Sequence, residues 1–407
     1  MVETVFELRG HIIDSLILSR VFGAIMDLGG EFEILEFKIG RSKTEHSYTR
    51  MRLIAEDDHK LHAIMEELQK LGATETTVKD ASMVEVTMAG VAPEHFYSTT
   101  NHQTWVHLGD DWVHVEGTEM DCIIVVDDGK ARTVPMGKLQ VGDRVVVSSN
   151  GIKIHLPERS RSADVFEFMS SIASSEKPTE TLVGKVAQAI RDVKDRDQKL
   201  VVVAGPAVVH TGGREALAAL VREGYVDVLF AGNALAVHDI EVALMGTSLG
   251  VDLKGAFCHE GGHRHHLIAI NTVRREGSIA AAVEHGLVKD GVMHACITSG
   301  VPFVLAGSIR DDGPLPEVIT DVMEAQDAMR KALEGCGLVL MLSTLLHSVA
   351  VGNMIPSHVK TICVDINPAS VTKLLDRGSA QAIGITTDVG LFLPKLRDEL
   401  LGAKGGA

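Results

Sequence analysis

A chain of 407 residues with 45% apolar side chains has enough material for a substantial core and for two or three domains. Its 39 Lys and Arg against 55 Asp and Glu leave a formal net charge of -16, which disfavours nucleic acid and acidic membrane surfaces as partners. The five cysteines (Cys122, Cys258, Cys296, Cys336, Cys363) are odd in number and lack CxxC spacing, as expected of reduced thiols in the cytoplasm, and the acidic start MVETVFELRG is unlike a signal peptide.

Residues 1–98 predict a ferredoxin-like α+β domain in βαββαβ order. A strand at Val5–Leu8 precedes a helix over Asp14–Leu28, where Leu16, Val21, Ile25 and Leu28 recur at helical spacing before Gly29-Gly30. An alternating run with Phe32, Ile34, Phe37 and Ile39 pairs with SYTRMRLIAE, an amphipathic helix covers Asp57–Leu71, and a last strand is expected around Val78 and Met83–Met88. Residues 99–160 read as a β-rich module, with TWVHLGDDWVHVE, DCIIVVDDGKARTVPM and DRVVVSSNGIKIHL broken by Gly-Asp, Asp-Gly and Asn-Gly turns. Its Asn101, His102, Glu119 and Asp121 could face a cleft, or simply be solvated turn residues. Residues 161–180 form the expected linker.

From 181 to 407 apolar strand runs alternate with helices: KLVVVAGP, VDVLFAGN, HHLIAIN, PFVLAGS, then Leu338–Leu342, Thr361–Val364 and Ala382–Thr386. That alternation predicts a doubly wound parallel sheet, Rossmann-like but without GxGxxG. Between Gly335 and Ser357 there is no charged residue, yet Ser343, Thr344, His347, Ser348, Gly352, Asn353 and Pro356 argue against a membrane span and for a buried strand and loop.

Ligands of such sheets bind at the carboxyl ends of the strands, so the residues there carry the functional reading. Gly205-Pro206 and Gly212-Gly213 could present backbone N–H groups to an anion or merely make a tight turn. Gly232-Asn233-Ala234 offers a second such turn, where Asn233 could bond a ribose or an amide or cap the next helix. Arg310, Asp311 and Asp312 gather in a third. Asp365 ends one strand where a carboxylate can accept both hydroxyls of a ribose, and Asp388 follows another. CHEGGHRHH (258–266) has one Cys and four His but no partner cluster at zinc-finger spacing, so no metal is expected. The alternative is a polar loop bringing Glu260, His263, Arg264 and His265 to the sheet edge, Arg264 pairing with a substrate carboxylate and a histidine moving protons, or a loop that only caps helices.

Residues 338–396, with a strand ending in Asp-Ile-Asn-Pro and a Thr-Asp-Val-Gly step, resemble the nucleotide domain of deoxyhypusine synthase, sirtuins and thiamine-diphosphate enzymes. More broadly, AGPAVVHTGG, GNALAVHDIE, GTSLGVDL, EGGHRHHLIAIN, LAGSIRDDGPLP, LHSVAVGN and CVDINP together resemble the archaeal and cyanobacterial-type ornithine cyclodeaminases, relatives of the LOR/SDH (lysine-oxoglutarate reductase/saccharopine dehydrogenase) proteins. The resemblance implies NAD-dependent conversion of L-ornithine to L-proline and ammonia, with NAD contacting Asn233, Ala234, Asp312, Thr344 and the loop to Met354, Ile355 and Pro356, Asp365, Asp388 and Val389. An acid at the ribose favours NAD over NADP. Arg264 is the expected carboxylate ligand, and Asp311, Glu260 or His265 the expected proton-transfer or amine-binding groups. A symmetric homo-oligomer is expected. The rival readings are a net NAD-dependent oxidoreductase acting on a lysine- or saccharopine-like amino acid, and a non-enzymatic NAD or amino-acid sensor suggested by the ferredoxin-like start.

Overall fold

The computed structural model describes residues 1–13, 16–41, 45–76, 79–109, 111–155, 179–252, 264–311, 313–377 and 382–402. The chain divides into two compact units, Met1–Phe168 with Asn353–His358, and Met169–Gly352 with Val359–Ala407.

In the first unit β1 (Val2–Gly10), β2 (Glu31–Lys38), β3 (Ser47–Ala55) and β4 (Thr74–Glu75) alternate with helices Ile17–Asp27 and Asp58–Lys70. The sheet order is β2-β3-β1-β4 with each neighbouring pair antiparallel, a ferredoxin-like arrangement. Phe6 and Leu8 on β1 and Met51 and Leu53 on β3 alternate onto one face, where Val21, Ile25, Ile64 and Leu68 from the helices cover them. Asp57 starts the second helix by accepting the Lys60 N–H at 2.8 Å.

The stretch expected to end this sheet does not do so. β5 (Ser82–Glu85) pairs instead with β10 (Arg144–Val147). Four residues with one alternating face suit the edge of either sheet, and which edge is open is a tertiary matter. β5 and β10 belong to a mixed seven-stranded sheet with β6 (Gln103–Leu108), β7 (Asp111–Glu116), β8 (Ile123–Asp127), β9 (Lys130–Val134) and β11 (Ile152–His155), in the order β11-β6-β7-β9-β8-β10-β5. Asp128 and Gly129, both at positive φ, make the two-residue turn between β8 and β9.

The second unit holds β12 (Lys199–Ala204), β13 (Val228–Gly232), a small hairpin of β14 (Thr247–Ser248) and β15 (Val251–Asp252), then β16 (Phe303–Ala306), β17 (Val318–Ile319), β18 (Cys336–Leu342), β19 (Lys360–Asp365) and β20 (Ala382–Thr386). Seven of these strands form a parallel, doubly wound sheet in the order β17-β16-β13-β12-β18-β19-β20. From β12 the chain builds outward to β17, then returns to lay β18 on the other side of β12, so the order reverses between these two. Leu200–Ala204 and Leu338–Leu342 are buried throughout, as central parallel strands must be.

Two expectations here are corrected. HHLIAIN is not a strand but the start of helix His265–Glu276, in which Ala269, Ile270 and Val273 are buried while Leu267 and Ile268 are exposed, and Gly277 at φ 90° ends it. The expected loop from Thr344 to Pro356 is largely helix Leu345–Met354, entered through a turn in which Ser343 has a φ of 47°. Its uncharged composition suits a helix packed inside protein, and among the described residues no helix is long and apolar enough to cross a membrane.

Helix Asn233–Met245 carries the buried ionic centre of this unit. Asp239, fully buried, accepts Arg214 Nε–H at 2.7 Å and the Val292 and Met293 N–H groups at 3.0 and 2.8 Å, fixing the start of helix Val292–Ser299. Burial works against the Arg214 charge, but Asp239, Asp290 and Glu215 outweigh it and raise its pKa. A Cβ on Gly291, whose φ is 100°, would lie 2.2 Å from Arg214 Nη2. Replacing Asp239 with Ala removes the buried partner of Arg214 and leaves the Val292 and Met293 N–H groups without their acceptor, and is expected to cost about 3–5 kcal/mol of unfolding free energy by chemical denaturation. Glu215→Ala removes a carboxylate that is 59% exposed and should cost no more than about 1 kcal/mol.

Candidate functional site at the carboxyl edge of the parallel sheet

In an open parallel sheet the ligand crevice lies outside the carboxyl ends of the strands where the order reverses, here between the ends of β12 and β18. The two chains nearly touch there. A Cβ added to Gly205 would fall 2.2 Å from the Ser343 carbonyl oxygen and 3.0 Å from Thr344 Cβ, so only glycine fits after β12. The turn after β20 closes on the same region, since a Cβ on Gly390 would lie 2.0 Å from the Thr211 carbonyl oxygen.

Three adjacent strand ends offer polar groups. Ser343 Oγ, after β18, and Thr386 Oγ1, at the end of β20, are buried without a hydrogen-bond partner among the described residues. Between them Asp365 ends β19, paired in register with Thr386. Its Oδ1 accepts the Asn367 N–H at 2.8 Å, and among the described residues its other oxygen has no donor. Asp388 is committed through Oδ1 to the Gly390 N–H at 2.6 Å, and its backbone carbonyl accepts from Leu391 and Phe392 as helix Val389–Gly402 begins. Val389 is a core side chain, 3% exposed.

On the other side of the crevice Asn233 and Ala234 start helix Asn233–Met245 directly after β13. Asn233 Oδ1 accepts the Leu315 N–H at 3.0 Å and so ties down the loop leading to β17. Both Asp311 oxygens accept from Ser308, its N–H at 2.8 Å and its hydroxyl at 3.3 Å, making a turn after β16. His347, within the Thr344–Pro356 stretch that the resemblance assigns to NAD but not singled out there, stands over Gly232, its Cε1 2.9 Å from where a Cβ would sit. Burial lowers its pKa, against the pull of the Asp311 carboxylate. The signal for it was slight, one histidine in an uncharged run.

Arg264 is exposed at the first turn of helix His265–Glu276, and His265 Nδ1 lies 2.7 Å from Thr247 Oγ1. Glu260, His263 and Asp312 lie outside the described residues, as does Cys258. Met354, Ile355 and Pro356 fall inside Asn353–His358, which belongs to the first unit, where the Ser357 N–H donates to the Asn101 carbonyl at 2.7 Å. Among the described residues no group of three or more His, Cys, Asp or Glu is placed to hold a metal ion.

Gly205→Ala should push the β12 and β18 turns apart, lowering stability by about 1–3 kcal/mol, read from denaturant midpoints. Acid should destabilise the second unit through His210, whose pKa burial, then the neighbouring His238, lowers to about 4 against an ordinary 6.5. Between these values the unfolded chain binds the extra proton, so stability is full above the upper one and falls as the pH drops toward the lower. His210→Gln should flatten that part of the stability-pH curve, and an unchanged slope would remove the assignment.

Three family profiles match the chain in succession: the LOR/SDH bifunctional enzyme conserved region over residues 3–102, the first C-terminal region of ArgZ-like arginine dihydrolases over 103–183, and their C-terminal Rossmann fold over 184–396. The ornithine cyclodeaminase of Methanopyrus kandleri is 54% identical, covering 98% of this chain and 97% of its own length. The crystal structure of apo ArgZ, an arginine dihydrolase of cyanobacteria, superposes with a TM-score of 0.87 at 43% identity, covering 99% of this chain and 59% of that one. That of AgrE in a ternary complex with ornithine and NAD+ covers 99% of this chain and 58% of that one at 43% identity, with a TM-score of 0.55. On this full-length likeness and the Rossmann-type sheet described above, the chain belongs to the LOR/SDH-related, ArgZ-like family of ornithine cyclodeaminases.

Proposed function

We infer that this chain is an NAD-dependent ornithine cyclodeaminase, an ammonia-lyase that converts L-ornithine to L-proline and ammonia. The observation that carries this reading is the 54% identity to an ornithine cyclodeaminase over nearly the whole of both chains.

The residues of the carboxyl edge fit NAD. The glycine-lined crevice at Gly205 admits a close backbone approach, Asp365 has an oxygen for a ribose hydroxyl, and Ser343 and Thr386 have buried hydroxyls to satisfy. In this reading Asn233, Ala234, Asp312, Thr344, Asp365, Asp388 and Val389 hold the dinucleotide, Asn233 and Val389 chiefly through the backbone they order. Asp365 disfavours a 2′-phosphate by charge repulsion. NAD, when bound, supplies a hydride acceptor that also returns the hydride, so the conversion has no net redox change.

The chain's own groups position ornithine and move its protons. Arg264 is proposed to pair with the substrate carboxylate, which its exposure and five-donor fork suit. Glu260, His265 and Asp311 are proposed for amine binding and proton transfer, with His347, kept neutral by burial, added at the Gly232 turn. A dry pocket around the bound substrate would lower the pKa of its ammonium and so favour a nucleophilic amine. The buried thiols of Cys296, Cys336 and Cys363, with no disulfide among them, support a cytoplasmic setting, and a symmetric homo-oligomer, checked by light scattering, belongs to the same reading.

Purified protein given NAD+ and ornithine should form proline and ammonia in equal amounts without accumulating NADH, read by product analysis and nicotinamide absorbance. A net oxidoreductase on a lysine- or saccharopine-like substrate would instead accumulate NADH, and no turnover of any amino acid would leave only a sensor. Asp365→Ala should weaken NAD binding about 10- to 100-fold, equivalent to one or two charge-assisted hydrogen bonds, measured by calorimetry.

A further inference from the structure

Behind the crevice, helix Asn233–Met245 places a second buried acid two residues from Asp239. Glu241 is fully buried and takes four donors: His238 Nδ1 at 2.9 Å, Thr247 Oγ1 at 3.0 Å, and the Leu249 and Gly250 N–H groups at 3.2 and 2.8 Å. Burial opposes its charge, but His238, Gly250 and Thr247 outweigh it and hold its carboxyl below the usual range. The two backbone donors lie in the tight turn of the β14–β15 hairpin, with Leu249 at φ 54° and Gly250 at φ 71°. Holding that turn needs no imidazole, yet His238 and His265 both join the network, and the His210 ring lies 4.8 Å from that of His238.

The donor inventory fixes the protons. An ionised carboxylate only accepts, so Thr247 donates its hydroxyl proton to Glu241. That hydroxyl oxygen can then only accept from His265, 2.7 Å away, which therefore carries a proton on Nδ1.

We propose that Glu241 and Thr247 are positioning residues that hold His265 in the Nδ1–H tautomer, making Nε2 the base that takes a proton from a substrate ammonium and returns it to the α-nitrogen as it leaves as ammonia. Glu241 acts through the hydroxyl, lending its charge to the imidazolium while the proton is held, as the third group of a catalytic triad does. The proposal rests on the cyclodeaminase reading and adds to it the identity and orientation of a base.

Two measurements on the full chain test it. In the first, ring 15N shifts of His265 should report the Nδ1–H tautomer in the wild type and its loss in Thr247→Val, with or without turnover. In the second, Thr247→Val should lower kcat for ornithine about 10- to 100-fold with KM changed by less than about threefold, while Thr247→Ser, which keeps the hydroxyl, stays within about threefold of wild type. If the hydroxyl only anchors the hairpin, Thr247→Val lowers the melting temperature and leaves kcat of the folded enzyme at the wild-type value, which overturns the proposal, as does an Nε2–H tautomer in the wild type. Failure of the wild type to make proline would sink the cyclodeaminase reading, while the tautomer measurement still judges the network.

Discussion

The approach of Gly205 to the Ser343 carbonyl is the constraint on which the functional half of the molecule turns. β12 and β18 are neighbours in the sheet although more than 130 residues separate them, about 130 being the span that winds out to β17 and back. Because they pair in parallel, their carboxyl ends and following turns come out side by side, and the missing Cβ lets those turns meet. Among the described residues, Asp311, Ser343, Asp365, Thr386 and Asp388 end or follow strands at the carboxyl edge of this sheet.

Helix Asn233–Met245 links that edge to the interior. Two residues apart on a helix, Asp239 and Glu241 point to widely separated directions, so one helix serves two polar networks. Asp239 is spent on Arg214 and the start of helix Val292–Ser299, an architectural bond. Glu241 is spent on His238, Thr247 and the hairpin turn, a network that reaches an imidazole at the end of another helix. Both acids are inaccessible to solvent and several donors converge on each; burial still pushes the Asp239 carboxyl up despite Arg214, whereas the donors around Glu241 hold it below the usual range.

Much of this was legible in the residues. Parallel strands buried on both faces read as short uncharged apolar runs, and an acid directly after one stands out, which is why the strand ending at Asp365 and the one preceding Asp388 were read from sequence. Short apolar runs also misled. HHLIAIN has the composition of such a strand, and only its continuation through Val273 to Gly277 shows helical spacing. β5 was assigned to the wrong sheet because four residues do not say which edge they will meet. His347 was read only as one polar residue of an uncharged run, because nothing local marks a histidine that lies over the Gly232 turn about 115 positions earlier.

By itself the sequence determined the fold class, the family, and the chemistry available at strand ends, since hydrophobic period and residue type are local properties. Which of those groups remain available for a ligand was decided by the tertiary structure. Among the described residues Asp365 and Asp388 each keep an oxygen without a donor, whereas Asp311 gives both of its oxygens to Ser308 and Asn233 gives its Oδ1 to Leu315. Glu241, an unmarked acid inside a helix, becomes the centre of a histidine network. A hydrogen bond depends on where its partner lies in space, and for the Glu241 carboxylate and the His265 ring that position is set by packing of separate elements, not by spacing along the chain.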